Sequence, residues 1–156
     1  MAIVPFSDPT FTGLVGQHAN SEEWNAITRL AVDTDTSPIG FGQPVYRVAT
    51  NDNHCSTAVN GNPLGVTRYR VDIDGVTGYE EYGHVSIMTQ GVMYVAAGDD
   101  CTAGEPAGYD QATDRWADVA GDFDAVLGAE FDTSAEADGI VKIRIQRPAA
   151  AVAPAP

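Results

Sequence analysis

The stretch Ile140-Val-Lys-Ile-Arg-Ile-Gln146 decides how this chain is expected to fold. Apolar and polar residues alternate along it, so Val141, Ile143 and Ile145 share one face while the polar residues share the other. Successive side chains of a β-strand point to opposite faces of the sheet, and this alternation therefore predicts a half-buried strand. No long amphipathic helical pattern of comparable clarity exists elsewhere in the sequence.

The same two-residue period continues upstream. Residues 64–73 place Thr67, Tyr69, Val71 and Ile73 on one face, and the polar residues between them on the other. An Asp-Gly pair follows directly, and these residue types are typical of turns. The pattern predicts a strand that ends in a tight turn.

Two hairpins are predicted from β-rich runs with short polar gaps. Residues 85–89 and 92–96 flank Gln90-Gly91, which is a suitable two-residue turn. The second hairpin runs from residues 107–109 to residues 115–117.

Weaker strand patterns cover residues 24–32, 44–49 and 123–131. Together with the clear ones they give about eight short strands, which predicts an all-β fold, either a small β-barrel or a β-sandwich. One exception is expected, a short helix near residues 21–30, because Ser21 and the two glutamates after it could cap one.

The two ends of the chain differ from its middle. Residues 1–24 are interrupted by Pro and Gly and carry isolated apolar residues, so we expect an extended N-terminal arm. Residues 25–147 form the predicted single β domain. Residues 148–156 are an Ala/Pro low-complexity stretch, which predicts a mobile tail.

The charge of the chain argues against several classes of partner. Its 156 residues contain 8 Lys and Arg against 22 Asp and Glu, a formal net charge of −14. Nucleic acids and anionic membranes both select cationic surfaces, so we expect neither as a partner. The first residues have neither the basic region nor the apolar core of a secretory signal, which predicts a protein that is made and used inside a cell.

The sequence offers no clear catalytic, cofactor or metal site. His18, His54 and His84 are scattered, and Cys55 and Cys101 lie far apart, so none has the close spacing typical of zinc ligands. A nucleophile elbow and a phosphate-binding loop are also lacking. Two cysteines without a secretory signal are usually free thiols, although a disulfide between them stays open at this point.

Four segments in the second half of the chain carry a family resemblance. They are Tyr79-Glu-Glu-Tyr-Gly-His-Val-Ser-Ile-Met-Thr-Gln-Gly-Val-Met-Tyr-Val95, Ala103-Gly-Glu-Pro-Ala-Gly-Tyr109, Gly128-Ala-Glu-Phe-Asp-Thr-Ser-Ala135 and Gly139-Ile-Val-Lys-Ile-Arg-Ile145. In this order they resemble the structural cement, or capsid-decoration, proteins of tailed bacteriophages.

The resemblance implies a virion structural protein without catalytic residues or cofactor. Such a protein would bind the outer surface of the major capsid shell and stabilise it across capsomer boundaries. Its partners would be the major capsid protein and further copies of itself, with a trimer favoured over a dimer. Two departures from the family pattern are small: His84 and Glu105 each stand where aspartate is usual.

Apolar and aromatic residues of the arm and two arginines of the strand predicted over residues 64–73 are the expected contacts with the capsid or a sister subunit. These residues are Phe6, Phe11, Leu14, Val15, Trp24, Arg68 and Arg70.

Two other function classes are open from the sequence. A small acidic β-barrel hydrolase would need paired carboxylates in a deep pocket. A carbohydrate-binding or adhesion β-sandwich would need exposed aromatic rings, for which Trp24 and Trp116 are the candidates.

Overall fold

A computed structural model describes most of the chain, in five segments: residues 13–32, 38–60, 62–71, 78–118 and 125–146. These residues contain strands, turns and loops but no helix. The strands are β1 (Asn25–Ala31), β2 (Ile39–Gly40), β3 (Pro44–Val48), β4 (Asn51–Ser56), β5 (Pro63–Thr67), β6 (Gly78–Tyr79), β7 (His84–Ala96), β8 (Pro106–Asp110), β9 (Arg115–Asp118), β10 (Ala125–Phe131) and β11 (Ile140–Ile145).

Five strands close into a barrel in the order β1-β4-β3-β5-β7, and pairing of β7 with β1 completes the ring. Strands β1 and β4 run parallel, whereas the other neighbours in the ring are antiparallel. Beyond the barrel the sheet continues from β7 through β11, β10 and β8 to β9. The all-β prediction is confirmed, and of the two architectures foreseen the fold is a barrel with a sheet extension.

The long strand β7 joins the two parts. Its first half pairs with β1 and β5, and its second half pairs with β11, where Ile140 lies opposite Ala96 and Ile145 opposite Gly91. The predicted hairpin at Gln90-Gly91 is therefore wrong. Its two halves do not pair with each other because each has a different partner elsewhere in the chain.

The predicted helix near residues 21–30 is also wrong. Residues 25–31 are β1, which lies between β7 and β4 and completes the barrel wall. Two strand partners from distant parts of the chain outweigh the weak local helix signal of Ser21 and the glutamates after it.

The strand predicted over residues 64–73 ends early. β5 stops at Thr67, which is fully buried, and the chain then leaves the sheet. Tyr69 and Val71 consequently lie at the surface instead of sharing the inner face with Thr67. Ile73 and the Asp-Gly turn after it lie outside the described residues.

Other strand predictions are confirmed. β11 buries Val141, Ile143 and Ile145 as the alternation requires. β8 and β9 form the predicted hairpin, with Tyr109 opposite Trp116. β1, β3 and β10 match the weaker patterns. The sequence missed β2, β4 and β6; the polar run of β4 resembles a loop, but its pairing with β1 and β3 makes it a strand.

Apolar side chains form two core clusters. One lies inside the barrel and includes Cys55, Tyr79 and Ile87, and the other lies over the sheet extension and includes Cys101 and Trp116. The two cysteines are buried free thiols in different clusters, which decides the question left open by the sequence. Burial raises the pKa of each thiol to about 11.

Candidate interaction surface

The segment before β1 is part of the sheet. The amide of Gly16 donates to the Tyr94 carbonyl at 2.7 Å, and the Tyr94 amide donates to the Gln17 carbonyl at 3.0 Å. The Ala19 amide then donates to Val92 at 2.9 Å. Residues 16–19 thus pair with the second half of β7, on the edge that β11 leaves free.

A second strand end meets this segment at Gly16. The Tyr69 amide, just beyond β5, donates to the Gly16 carbonyl at 2.8 Å. Gly16 has a φ of +83°, and a Cβ there would lie 2.7 Å from the Tyr69 amide nitrogen. Only glycine allows both the backbone conformation and this approach. Residues 13–24 and 68–71 are therefore adjoining parts of one surface.

Trp24 and Arg68 contact each other across this junction. The guanidinium carbon of Arg68 lies 4.4 Å from the Trp24 ring centroid, which is within the range of a cation–π interaction. The His18 ring lies 5.2 Å from the Trp24 ring. Burial and the nearby Arg68 charge lower the pKa of His18, which favours its neutral form beside these two residues.

Aromatic rings support the other side of the junction. Phe41 packs edge-on against Tyr69 and Tyr79, at ring distances of 5.2 and 5.6 Å. Arg70 lies 5.4 Å from the Tyr79 ring, and the Tyr79 hydroxyl donates to the Arg68 carbonyl at 2.8 Å. These contacts hold the backbone of residues 68–70 in place although it belongs to no strand.

Four large apolar side chains are exposed on the two adjoining segments: Leu14 is 55% exposed, Trp24 41%, Tyr69 37% and Val71 80%. We call these four residues, with Arg68 and Arg70, the apolar–arginine face. Among the described residues, two other large apolar side chains have comparable exposure, Val59 and Tyr82. The exposed apolar surface is thus concentrated where the N-terminal segment meets the end of β5.

The structure places the predicted contact residues in different environments. Trp24 and Arg68 are brought together, and Leu14 is exposed nearby. Val15 is half-buried, with its Cγ1 packed over Gly42. Phe6 and Phe11 lie outside the described residues. Sequence reasoning missed Tyr69 and Val71 because it continued the alternation of β5 past its end.

The C-terminal basic residues do not join this face. Arg144 donates to Asp132 at 2.8 Å and to Glu22 at 3.1 Å, and these two carboxylates raise its pKa. The Lys142 ammonium lies 5.6 Å from the Tyr94 ring. Arg144 therefore ties the N-terminal segment to the end of β10.

The described residues show where the candidates for a metal site and for stacking on a sugar lie. No group of three or more His, Cys, Asp or Glu side chains there could hold a metal ion. Trp116 is 1% exposed and donates its ring N–H to the Gly42 carbonyl at 2.7 Å, so it cannot stack on a ligand. No helix in this part of the chain is long and apolar enough to cross a membrane.

A family model described as structural cement protein (E217 gp24/Pam3 gp6) matches residues 6–146. The chain belongs to the phage structural cement protein family. The match covers the barrel, the sheet extension and the N-terminal segment that carries Leu14 and Trp24, and it confirms the resemblance found in the sequence. No curated protein matches the chain.

Membership of this family makes the chain a structural protein of a bacteriophage and implies a location on the virion capsid. In such a protein the functional site is a contact surface, and the apolar–arginine face has the corresponding chemistry. Trp, Tyr and Arg are enriched where protein interfaces concentrate their binding energy.

Proposed function

We propose that this protein binds the outer surface of the major capsid shell and stabilises it across capsomer boundaries. We further propose that the apolar–arginine face makes the contact. The observation that carries this proposal is the concentration of exposed apolar side chains around Arg68 and Arg70 on a chain with a net charge of −14.

Burial of these side chains supplies the driving force. Fully burying an exposed large apolar side chain contributes about 1.5–3 kcal/mol, and the four residues of the face, which are 37–80% exposed, would each contribute a part of this. Arg68 is already stacked on Trp24, so little side-chain freedom is lost when a partner covers the pair. A rigid aromatic–cation pair of this kind suits a permanent contact.

The repeating shell multiplies a modest affinity. A subunit that touches two capsomers at once gains from the high effective concentration of its second contact. Further copies of the chain, with a trimer preferred, would add contacts of the same kind. We expect Phe6 and Phe11 to contribute either to the shell contact or to the contact between copies.

The test is binding to expanded, undecorated shells of the cognate phage, measured by co-sedimentation over a range of protein concentrations. We expect stoichiometric binding by the unaltered protein. Trp24→Ala should weaken it about thirtyfold or more, since truncating a central aromatic contact costs about 2 kcal/mol or more. Arg68→Gln should weaken it less.

Tyr82→Ala is the matched control, because Tyr82 is also an exposed aromatic residue, 65% exposed and outside the face. It should bind as the unaltered protein does. If the unaltered protein does not bind its own shells, the proposed function is wrong. If it binds and Trp24→Ala binds equally well, the choice of face is wrong.

A further inference from the structure

His18 lies beside the two residues at the centre of the apolar–arginine face. Its ring centroid is 5.2 Å from that of Trp24, and the guanidinium carbon of Arg68 is 4.4 Å from the same Trp24 ring. The Nε2 atom of His18 is buried. An imidazole, an indole and a guanidinium group thus share one small cluster, and the imidazole is the member that changes its charge near neutral pH.

Backbone hydrogen bonds hold both sides of this cluster. The segment of His18 is bound to β7, since the Tyr94 amide donates to the Gln17 carbonyl at 3.0 Å. The Arg68 amide donates at 2.8 Å to the carbonyl of Ser86, which is also in β7. Because one strand holds both segments, His18 and Arg68 cannot move apart as segments without breaking these bonds.

Among the residues that the structure describes, Arg68 is the charged group whose field acts on His18. His18 lies opposite Met93 of β7. Lys142 and Arg144 of β11 lie opposite the two residues that flank Met93. Neighbouring residues of a strand point to opposite faces of the sheet, so these two cations belong to the other face.

The other charged residues on the surrounding segments have contacts or positions of their own. Glu22 accepts a hydrogen bond from Arg144 at 3.1 Å. Glu23 is exposed, where water and salt screen its charge. Arg70 lies 5.4 Å from the Tyr79 ring, on the far side of the junction.

A proton on His18 would place a second positive charge in the cluster. Burial and the Arg68 charge both oppose it, so they lower the pKa of His18 below its ordinary value of 6.5. When the proton does bind at acid pH, the two cations repel each other beside the Trp24 ring. Since the backbone is held, the side chains relieve this repulsion, and Arg68 moves away from Trp24.

A partner on the face makes the proton still more costly. Covering Trp24 removes water from the cluster, and a charged His18 is then less well solvated. The bound state therefore keeps His18 neutral to a lower pH than the free state does. A protein that must release a proton on binding loses affinity as pH falls, by up to about tenfold for each pH unit below the pKa of the free protein.

We propose that His18 is a pH-sensitive switch of the apolar–arginine face: its neutral ring supports the Trp24–Arg68 pair, and its protonation loosens that pair and weakens the contact with the shell at acid pH. The effect on the shell rests on the proposed function. The change at Trp24 is a property of the isolated protein and can be measured without shells.

A pH titration of the isotope-labelled full chain, followed by NMR, tests the switch in the isolated protein. The His18 ring signal should titrate with a midpoint below about 6.5, and the indole N–H signal of Trp24 should move with the same midpoint. Arg68→Gln should raise that midpoint, because the like charge is removed. Arg68→Lys keeps the charge and should raise it less.

Shell binding at several pH values between about 5.5 and 7.5 tests the effect on the contact. The unaltered protein should lose affinity relative to His18→Gln as pH falls, by up to about tenfold for each pH unit below the His18 midpoint. Comparing the two proteins at each pH removes the contribution of titrating groups on the shell, which both proteins share.

His54→Gln is the matched control. His54 also lies near an aromatic ring, that of Tyr82 at 6.4 Å, but it is outside the apolar–arginine face. The His54→Gln variant should keep both the Trp24 response and the pH dependence of shell binding. Thermal unfolding of each variant checks that the fold is intact, and if His18→Gln does not fold, the midpoint in Arg68→Gln decides the question by itself.

The switch is overturned if the Trp24 signal does not follow the His18 midpoint, or if Arg68→Gln leaves that midpoint unchanged. It is also overturned if His18→Gln and the unaltered protein show the same pH dependence of shell binding. If the unaltered protein binds its shells at no pH, the proposed function is wrong, and the NMR midpoints still decide whether the Trp24–Arg68 pair responds to His18.

Discussion

The two tryptophans have the same side chain but differ in exposure, since one lies at the surface and the other in the core. Trp24 is held at the surface by Arg68, whereas Trp116 lies inside the sheet extension with its N–H bonded to Gly42. From the sequence both were candidate anchors, and each lies in or beside a strand pattern. Exposure depends on which other elements cover the residue, so it could not be read from local alternation.

The two buried thiols predict a loss of stability at high pH. Burial raises both thiol pKa values to about 11, above the ordinary value near 9.0. Below about pH 9 the thiols stay protonated in both the folded and the unfolded chain, so they do not change the free energy of unfolding. Between about pH 9 and pH 11 the unfolded chain releases protons that the folded chain retains, so the free energy of unfolding falls as pH rises.

We expect a decrease of about 1–2 kcal/mol per thiol over that range, measured by urea unfolding at several pH values. Burial also raises the pKa of Tyr79 and Tyr109, so part of the decrease will persist without the thiols. The double variant Cys55→Ala/Cys101→Ala should show a shallower decrease. An identical pH dependence in that variant would contradict the assignment to the thiols.

At the scale of an element, β7 organises the fold. Its two halves have the composition of a hairpin, and Gly91 stands where a turn would need it. The structure uses Gly91 differently, as a point of close approach with a φ of +130° and Trp24 directly above it. A glycine at position 91 suits both a turn and a close approach, and the strands that pair on either side of β7 decide whether the chain turns or continues.

Gly91→Ala should destabilise the protein by about 1–3 kcal/mol. The new Cβ would lie 2.8 Å from the Trp24 Cβ, in a backbone conformation that L-residues rarely adopt. Urea unfolding monitored by circular dichroism gives the change in free energy.

Gly104→Ala is the matched control for this variant. Gly104 also has a positive φ, +89°, but a Cβ there meets nothing within 4 Å. It should therefore cost only the backbone strain, roughly 1 kcal/mol. Equal effects of the two substitutions would show that crowding against Trp24 contributes nothing.

At the scale of the whole molecule, the described part of the N-terminal segment is bound to the domain. Residues 16–19 form hydrogen bonds to β7, and Glu22 pairs with Arg144 from β11. We expect deletion of residues 1–12 to preserve the fold. Deletion of residues 1–24 should lower the thermal midpoint by several degrees, because it removes these bonds and uncovers one edge of β7.

Differential scanning calorimetry of the two deletions measures this difference. The same pair is informative in the shell assay, because the shorter deletion keeps Leu14 and Trp24 while the longer one removes them. A thermal midpoint for the longer deletion equal to that of the full chain would show that residues 13–24 are not an integral part of the domain.

The candidate surface could be foreseen only in part. Trp24 and Arg68 were both selected as contacts, but nothing in the sequence places residue 24 against residue 68. Tyr69 and Val71 were placed on the same strand face as Thr67, because alternation carries no signal for where a strand stops.

The sequence alone determined that this protein is built from short strands, that it carries a large excess of acidic residues, and that it resembles a phage cement protein. These properties depend on residue type and near-neighbour spacing. Tertiary structure alone decided that β7 runs straight through Gly91, that β1 is not a helix, and that Trp24 meets Arg68 at the surface. Such outcomes depend on hydrogen bonds and packing between residues far apart in the chain, and local periodicity contains no information about those partners.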